Sequence, residues 1–176
     1  MKDPRYPIGK FTEQPFSKIL LEEKLLDIKF LPQLLENAIT GLDEAQLHTP
    51  YREGGWTPHT VVHHVADSHT NMYTRVKLAV SSETTPTIAP YDENIWAVMQ
   101  DAENLPVNIS LTLLHALHAR LYEFLRTLPE DYFTTKQYYH PERKEFDTVW
   151  KCLQHYAWHG KHHTAHITYL REKMNW

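Results

Sequence analysis

The chain has 176 residues, 18 lysines and arginines against 22 acidic residues, a net charge of −4 and one cysteine. That balance, with no basic patch or arm, argues against nucleic acid as the main partner, and no run of residues approaches membrane-spanning length or reads as an apolar signal segment. The lone Cys152 excludes an internal disulfide and suits a reducing cytoplasm.

The length predicts one domain over residues 1–176, large enough for a real core. Residues 1–16 carry Pro4, Pro7 and Pro15 without periodicity and read as an extended surface arm. Ser17 can cap a first helix whose buried side is Leu20, Leu21, Leu25, Ile28, Leu31, Leu35 and Ile39. Pro32 lies inside that pattern and predicts a kink or the start of a second segment. Gly41 closes the helix, and Asp43–Leu47 makes one short helical turn.

The loop 49–58 ends in a helix start, Thr57 as N-cap and Pro58 at the first helical position. The second long helix runs to about Val80 on a stripe of Val61, Val65, Ser68, Met72, Val76 and Ala79. His64 edges this stripe, trailed on the same side by Asp67 or Ser68, then Asn71 and Arg75, while His63 points away. A polar loop, 81–90, leads to a short helix around Tyr91–Met99. The third long helix covers roughly Asn108 to Leu128 on a leucine stripe, and its His115 and His118 read as ordinary amphipathic positions. Residues 133–146, β-branched and aromatic around His140-Pro-Glu-Arg143, predict a small β-hairpin before the fourth helix.

That last helix holds five of the thirteen histidines within His155–His166. Residues four apart stack on one helix face, so the pairs 155/159, 159/163 and 162/166 could each present two imidazoles to one ion. The apolar stripe Leu153, Tyr156, His159/Gly160, His163, Ile167, Leu170 favours 159/163, and Gly160 would let a neighbouring helix or a substrate come close. His162 and His166 continue toward Tyr169 and Lys173, a wetter flank, and Cys152 reads as core filler.

Four long helices with medium connections predict an all-α, antiparallel four-helix bundle with short extra helices. Such bundles build metal sites from inward side chains of facing helices, here His159 and His163 from the fourth and His64 from the second. Three imidazoles with no fourth protein ligand are a catalytic type of zinc arrangement, and Cys152 lies two turns from His159, too far to close it.

The runs Tyr51-Arg-Glu-Gly-Gly-Trp-Thr-Pro-His-Thr-Val-Val-His-His64-Val-Ala-Asp-Ser-His69, Pro90-Tyr-Asp-Glu93, Tyr139-His-Pro141 and Trp158-His-Gly-Lys-His-His163-Thr-Ala-His-Ile167, with Tyr6-Pro-Ile-Gly9, resemble the YfiT branch of the DinB-like metal proteins over nearly the whole chain. The resemblance implies a DinB-like four-helix fold, a homodimer, and one divalent metal per subunit on His64, His159 and His163, the same three that spacing selects. Zinc is the metal it implies, with nickel an alternative occupant of a purified sample. It further implies a metal-dependent hydrolase in which an open coordination position activates water against a small-molecule substrate. Related proteins resembling bacillithiol S-transferases supply the alternative, a low-molecular-weight thiol bound as thiolate for attack on an electrophile; a non-catalytic metal-binding protein is the third reading. Asp67 and Asn71 are candidates to orient a ligand or substrate, Arg75 to bind a substrate carboxylate, and Tyr91 and Trp96 to roof the site.

Overall fold

A computed structural model describes residues 3–176. Four long helices, α1 (Lys18–Ile39), α3 (Pro58–Ser81), α6 (Val107–Arg126) and α8 (Val149–Met174), are joined by segments bearing the short helices α2 (Glu44–Leu47), α4 (Glu93–Trp96), α5 (Gln100–Asn104) and α7 (Tyr132–Thr135). The hairpin β1 (Gln137–His140) and β2 (Glu145–Thr148) pairs antiparallel and begins after a helical turn where the sequence suggested strand. Three of the four long helices start at side-chain caps: Ser17 accepts from Leu20 N, Thr57 from Thr60 N ahead of Pro58, and Thr148 from Lys151 N, so β2 runs straight into α8, while α6 follows Pro106 without such a cap.

The neighbour relations give the bundle an uncommon connectivity. Across α3 and α8, contacts descend as numbering ascends: His64 meets His163, His69 meets His159 and Arg75 meets Tyr156, so these helices are antiparallel. Helices α1 and α6 are also antiparallel, through Lys29–Tyr122 and Glu36–His115. Helices α1 and α8 instead run parallel, Leu31 lying by Gly160 and Ala38 by Arg171. So do α3 and α6, through His63–Ser110 and Tyr73–Arg120. A parallel α3/α6 pair forces segment 82–106 to return along the bundle. It leaves the end of α3, bridges the hairpin at Ile88–Tyr139, and brings the Leu105 carbonyl to His59 and His63 near the start of α3.

The apolar core divides into two clusters. One, built on Ile28, Met72, Val76, Leu121, Leu125, Phe133 and Leu153, lies toward the hairpin; the other contains Leu31, Leu35, Val61, Val65, Leu114, Ile167 and Leu170. Between them lies a layer of histidines, His64, His69, His118, His159 and His163, contributed by α3, α6 and α8. Helix α1 passes this layer as one continuous element through Pro32, without the second segment its sequence suggested. A proline there cannot donate to the carbonyl four residues back, Ile28. His118 Nδ1 fills that vacancy, contacting the Ile28 oxygen from inside the bundle. His118, an unremarkable amphipathic position by sequence, is thus buried because the backbone of α1 requires its donor.

Candidate metal centre

On α8, His159 and His163 are one turn apart on the inward face, and α3, running antiparallel, brings His64 opposite them. One nitrogen from each of the three lies within 4.8 Å of the others. His64 Nε2 and His159 Nε2 are 3.2 Å apart, close to the roughly 3.3 Å that two imidazole nitrogens take on a tetrahedral ion with 2.0–2.1 Å bonds. His163 Nδ1 is buried without a hydrogen-bond partner. The donor set could therefore hold a metal ion, and the cluster contains no fourth protein group among the described residues.

Gly160 sits between the two α8 histidines because a Cβ there would lie 2.4 Å from Leu31 Cδ2 and 2.6 Å from Leu31 Cδ1. The missing side chain lets α1 approach, as its position in the stripe suggested. The loop before α3 covers the cluster from the other side. Trp56 packs on His64 at 4.6 Å between ring centroids and stacks more loosely on His163, while Tyr51 stacks on His166 at 4.1 Å. Gly54, at φ +62°, makes the turn between these two aromatics, and Tyr51 N donates to Trp56 O.

His69 stands behind the cluster, fully buried, with Nε2 3.4 Å from His159 Nδ1. A His159 tautomer with its proton on Nδ1 donates to His69 and leaves the Nε2 lone pair facing His64. Sequence reasoning gave His69 no role. It lies five positions from His64, off the i, i+4 face, and only the approach of α8 gives it a partner.

Burial sets the protonation of the cluster. It pushes the His64 imidazole down to about 4 and holds His159 and His163 well below the usual histidine range, their histidine neighbours adding to the effect. All three are thereby neutral at physiological pH, the form that binds metal. His155, two turns before His163 and at the cavity wall, is also pushed to about 4 by burial.

The cluster forms part of the wall of a cavity of about 620 Å³. Arg75, Tyr91 and Tyr156 also line it, as do Arg5 and Tyr6 of the N-terminal arm. The arm is anchored on α8: Trp150 Nε1 donates to Gln14 O, Gln154 accepts from Gln14 N, and Trp158 Nε1 donates to Gly9 O. Asp67 and Asn71 do not line the cavity. The Asn71 amide bonds back to the Asp67 carbonyl, and the Asp67 carboxyl is raised to about 6 by burial and by the charge of Asp101. Tyr91 reaches the wall, with Trp96 packed behind it at 4.4 Å. His162 and His166 are buried rather than on a wet flank, because the arm and the Tyr51 loop cover that side. His63 is buried as well, bonded to Ser110 and the Leu105 carbonyl. His115 is exposed and paired with Glu36.

The chain is 48% identical over 178 residues to a protein of Bacillus cereus (strain 03BB102), and 49% identical to one of Bacillus mycoides (strain KBAB4), with 100% of both partners covered in each case. Both relatives bear the provisional name of metal-dependent hydrolase. Among solved structures, YfiT from Bacillus subtilis, described as a probable metal-dependent hydrolase with an unusual four-helix bundle topology, superposes with a TM-score of 0.94. It is 42% identical, with 98% of each chain covered. The sequence profile of the DinB superfamily matches residues 28–167, and the chain belongs to that superfamily.

Proposed function

We propose that the protein is a metal-dependent hydrolase acting on a small molecule, with one zinc ion held by His64, His159 and His163. The observation that carries this reading is the convergence of three neutral imidazoles, without a fourth protein ligand among the described residues, on the wall of a roomy cavity. When bound, such an ion supplies a Lewis acid with an open coordination position for water or substrate. The chain's own part is to hold the three nitrogens in place. His69 fixes the His159 tautomer, Trp56 covers the His64 and His163 rings against solvent, and Gly160 seats α8 against α1.

The names of the relatives support hydrolysis as the reaction class. A homodimer is supported by apolar side chains left exposed on adjacent helices, Leu26, Phe30 and Leu34 on α1 with Ile109 and Leu113 on α6. The single cysteine is buried, its thiol pushed up to about 12, which suits a cytoplasmic protein with no thiol chemistry of its own. No helix among the described residues is long and apolar enough to cross a membrane.

The test is metal analysis of protein purified without chelator, followed by turnover of amide and ester panels with and without a small thiol. One zinc per chain and thiol-independent hydrolysis are expected. Turnover that always requires thiol would replace the hydrolase reading with thiol transfer. A metal-loaded protein without turnover in either format would leave a binding role.

A further inference from the structure

Arg75 is a buried cation without an anion. Its side chain lines the metal-site cavity, yet it is only 8% exposed. One terminal nitrogen lies 3.5 Å from the Tyr156 hydroxyl and the other donates to the Ala89 carbonyl at 3.3 Å, while Nε has no partner. No carboxylate among the described residues forms an ion pair with it. Of the other arginines on this wall, Arg5 is paired with Asp3 and Arg143 with Asp147 and Glu145. Arg52 shares with Arg75 the lack of a carboxylate partner among the described residues, an unpartnered Nε and a place over a tyrosine ring, Tyr51 for Arg52 and Tyr91 for Arg75, but it is more exposed, so Arg75 is the one buried deeply without a counter-charge. Burying a guanidinium without a counter-charge is costly, and most proteins supply the counter-charge themselves.

The position of Arg75 links it to the cluster. It follows His64 on α3 by eleven residues, three helical turns, so both face the same side of the helix, roughly 16 Å apart along its axis. Tyr156 fills the interval: its ring lies 5.6 Å from His159 and its hydroxyl faces Arg75. A guanidinium presents a planar fork that matches a carboxylate.

We propose that Arg75 anchors an anion subsite beside the histidine cluster, so that the substrate is an elongated carboxylic acid whose carboxylate is held by Arg75 while its reacting group sits at the metal. The subsite rests on the metal reading above, and the test separates the two. Cobalt-loaded protein is titrated with monohydroxamic acids of succinic, glutaric, adipic and suberic acid, with their methyl esters, and with acetohydroxamic acid. The cobalt visible spectrum reports binding. Every ligand carries the same metal-binding group, and only the acids carry a tail carboxylate.

The wild type is expected to bind at least one acid about tenfold or more tightly than its ester, the scale of a charge-assisted hydrogen bond. Arg75→Met should bring that ratio close to one while leaving cobalt content and acetohydroxamate affinity in place. Arg52→Met, which removes a rim charge, should keep the preference. Thermal denaturation supplies a readout that a structural role would not give: Arg75→Met should melt at or above the wild-type temperature, because it removes an uncompensated buried charge. An acid preference absent at every tail length would overturn the subsite, even if Arg75→Met failed to fold. So would a preference that survives Arg75→Met, or one that disappears with Arg52→Met. Failure of cobalt to load, or of acetohydroxamate to perturb its spectrum, would instead overturn the metal reading and the subsite with it.

Discussion

Replacing Gly160 by alanine sets two known effects against each other. In an exposed helix interior the change would stabilise by about 1 kcal/mol through helix propensity. Here the new methyl would meet Leu31 Cδ2 at 2.4 Å, Cδ1 at 2.6 Å and Cγ at 3.0 Å, and Leu31 is itself only 2% exposed. Three atoms of one branched, enclosed side chain cannot all yield by a rotamer change, so an overpacking cost of about 1–3 kcal/mol applies. The expected net is a loss of about 0–2 kcal/mol for the metal-free protein in urea denaturation. Metal affinity should fall as well, because α8 relieves the clash by moving away from α1, and His159 and His163 flank the point of contact. Leu31→Ala opens the same space from the other side. Combined with Gly160→Ala it should cost less than the sum of the single changes, with a coupling of about 1 kcal/mol or more. If Gly160→Ala raises stability by the full helix-propensity increment and shows no coupling to Leu31, the close approach of α1 and α8 is not what keeps glycine there.

His163→Ala should leave two cluster histidines and sharply reduce zinc retention through gel filtration, whereas His162→Ala should change metal content little; equal losses would mean the wrong pair on α8 was chosen. His69→Ala should weaken zinc affinity by about tenfold or more in a competition titration, and His69→Gln, which keeps an acceptor for His159, should recover part of it; unchanged affinity in both would remove His69 from the site. The metal-free protein should lose stability as pH falls from 6.5 toward 4. His64, His118 and His155 titrate near 4 when folded and near 6.5 when unfolded, so in that window the unfolded chain takes up protons the folded one refuses, each group costing up to about 3 kcal/mol by the lower end. Asp67 works in the opposite direction, its raised carboxyl favouring the folded state as pH drops below 6, but it is a single, partly exposed group and the three histidines outweigh it; flat stability across this range by urea titration at successive pH values would contradict the buried neutral state.

Much of the architecture was legible because it repeats along the chain. The leucine stripes, Thr57-Pro58 and Ser17 placed the long helices, and i, i+4 spacing with the apolar stripe singled out the three histidines that the structure brings within 4.8 Å. What was not legible depends on contacts between elements. The parallel pairs α1/α8 and α3/α6 are set by the path of segment 82–106, and no periodicity encodes a path. His118 finds its partner through a proline on another helix, and His69 through a histidine ninety positions away. The buried state of His162 and His166 follows from an arm and a loop that fold over α8, where helical spacing saw only an outward flank.

The layer of histidines between the two apolar clusters also bears on how the four helices find their alignment. Leucine-rich helices can slide past one another by a turn and still bury similar area, so an all-apolar bundle specifies its vertical alignment weakly. A slip of one turn, about 5.4 Å, would separate His118 from the Ile28 carbonyl and His159 from His69, leaving buried donors and acceptors unpaired. The layer thus acts as an index mark along the bundle axis, set before any ion arrives. Replacing His69 and His118 together with leucine should yield a protein that still collapses and is helical, but whose amide spectrum shows more than one packing alignment.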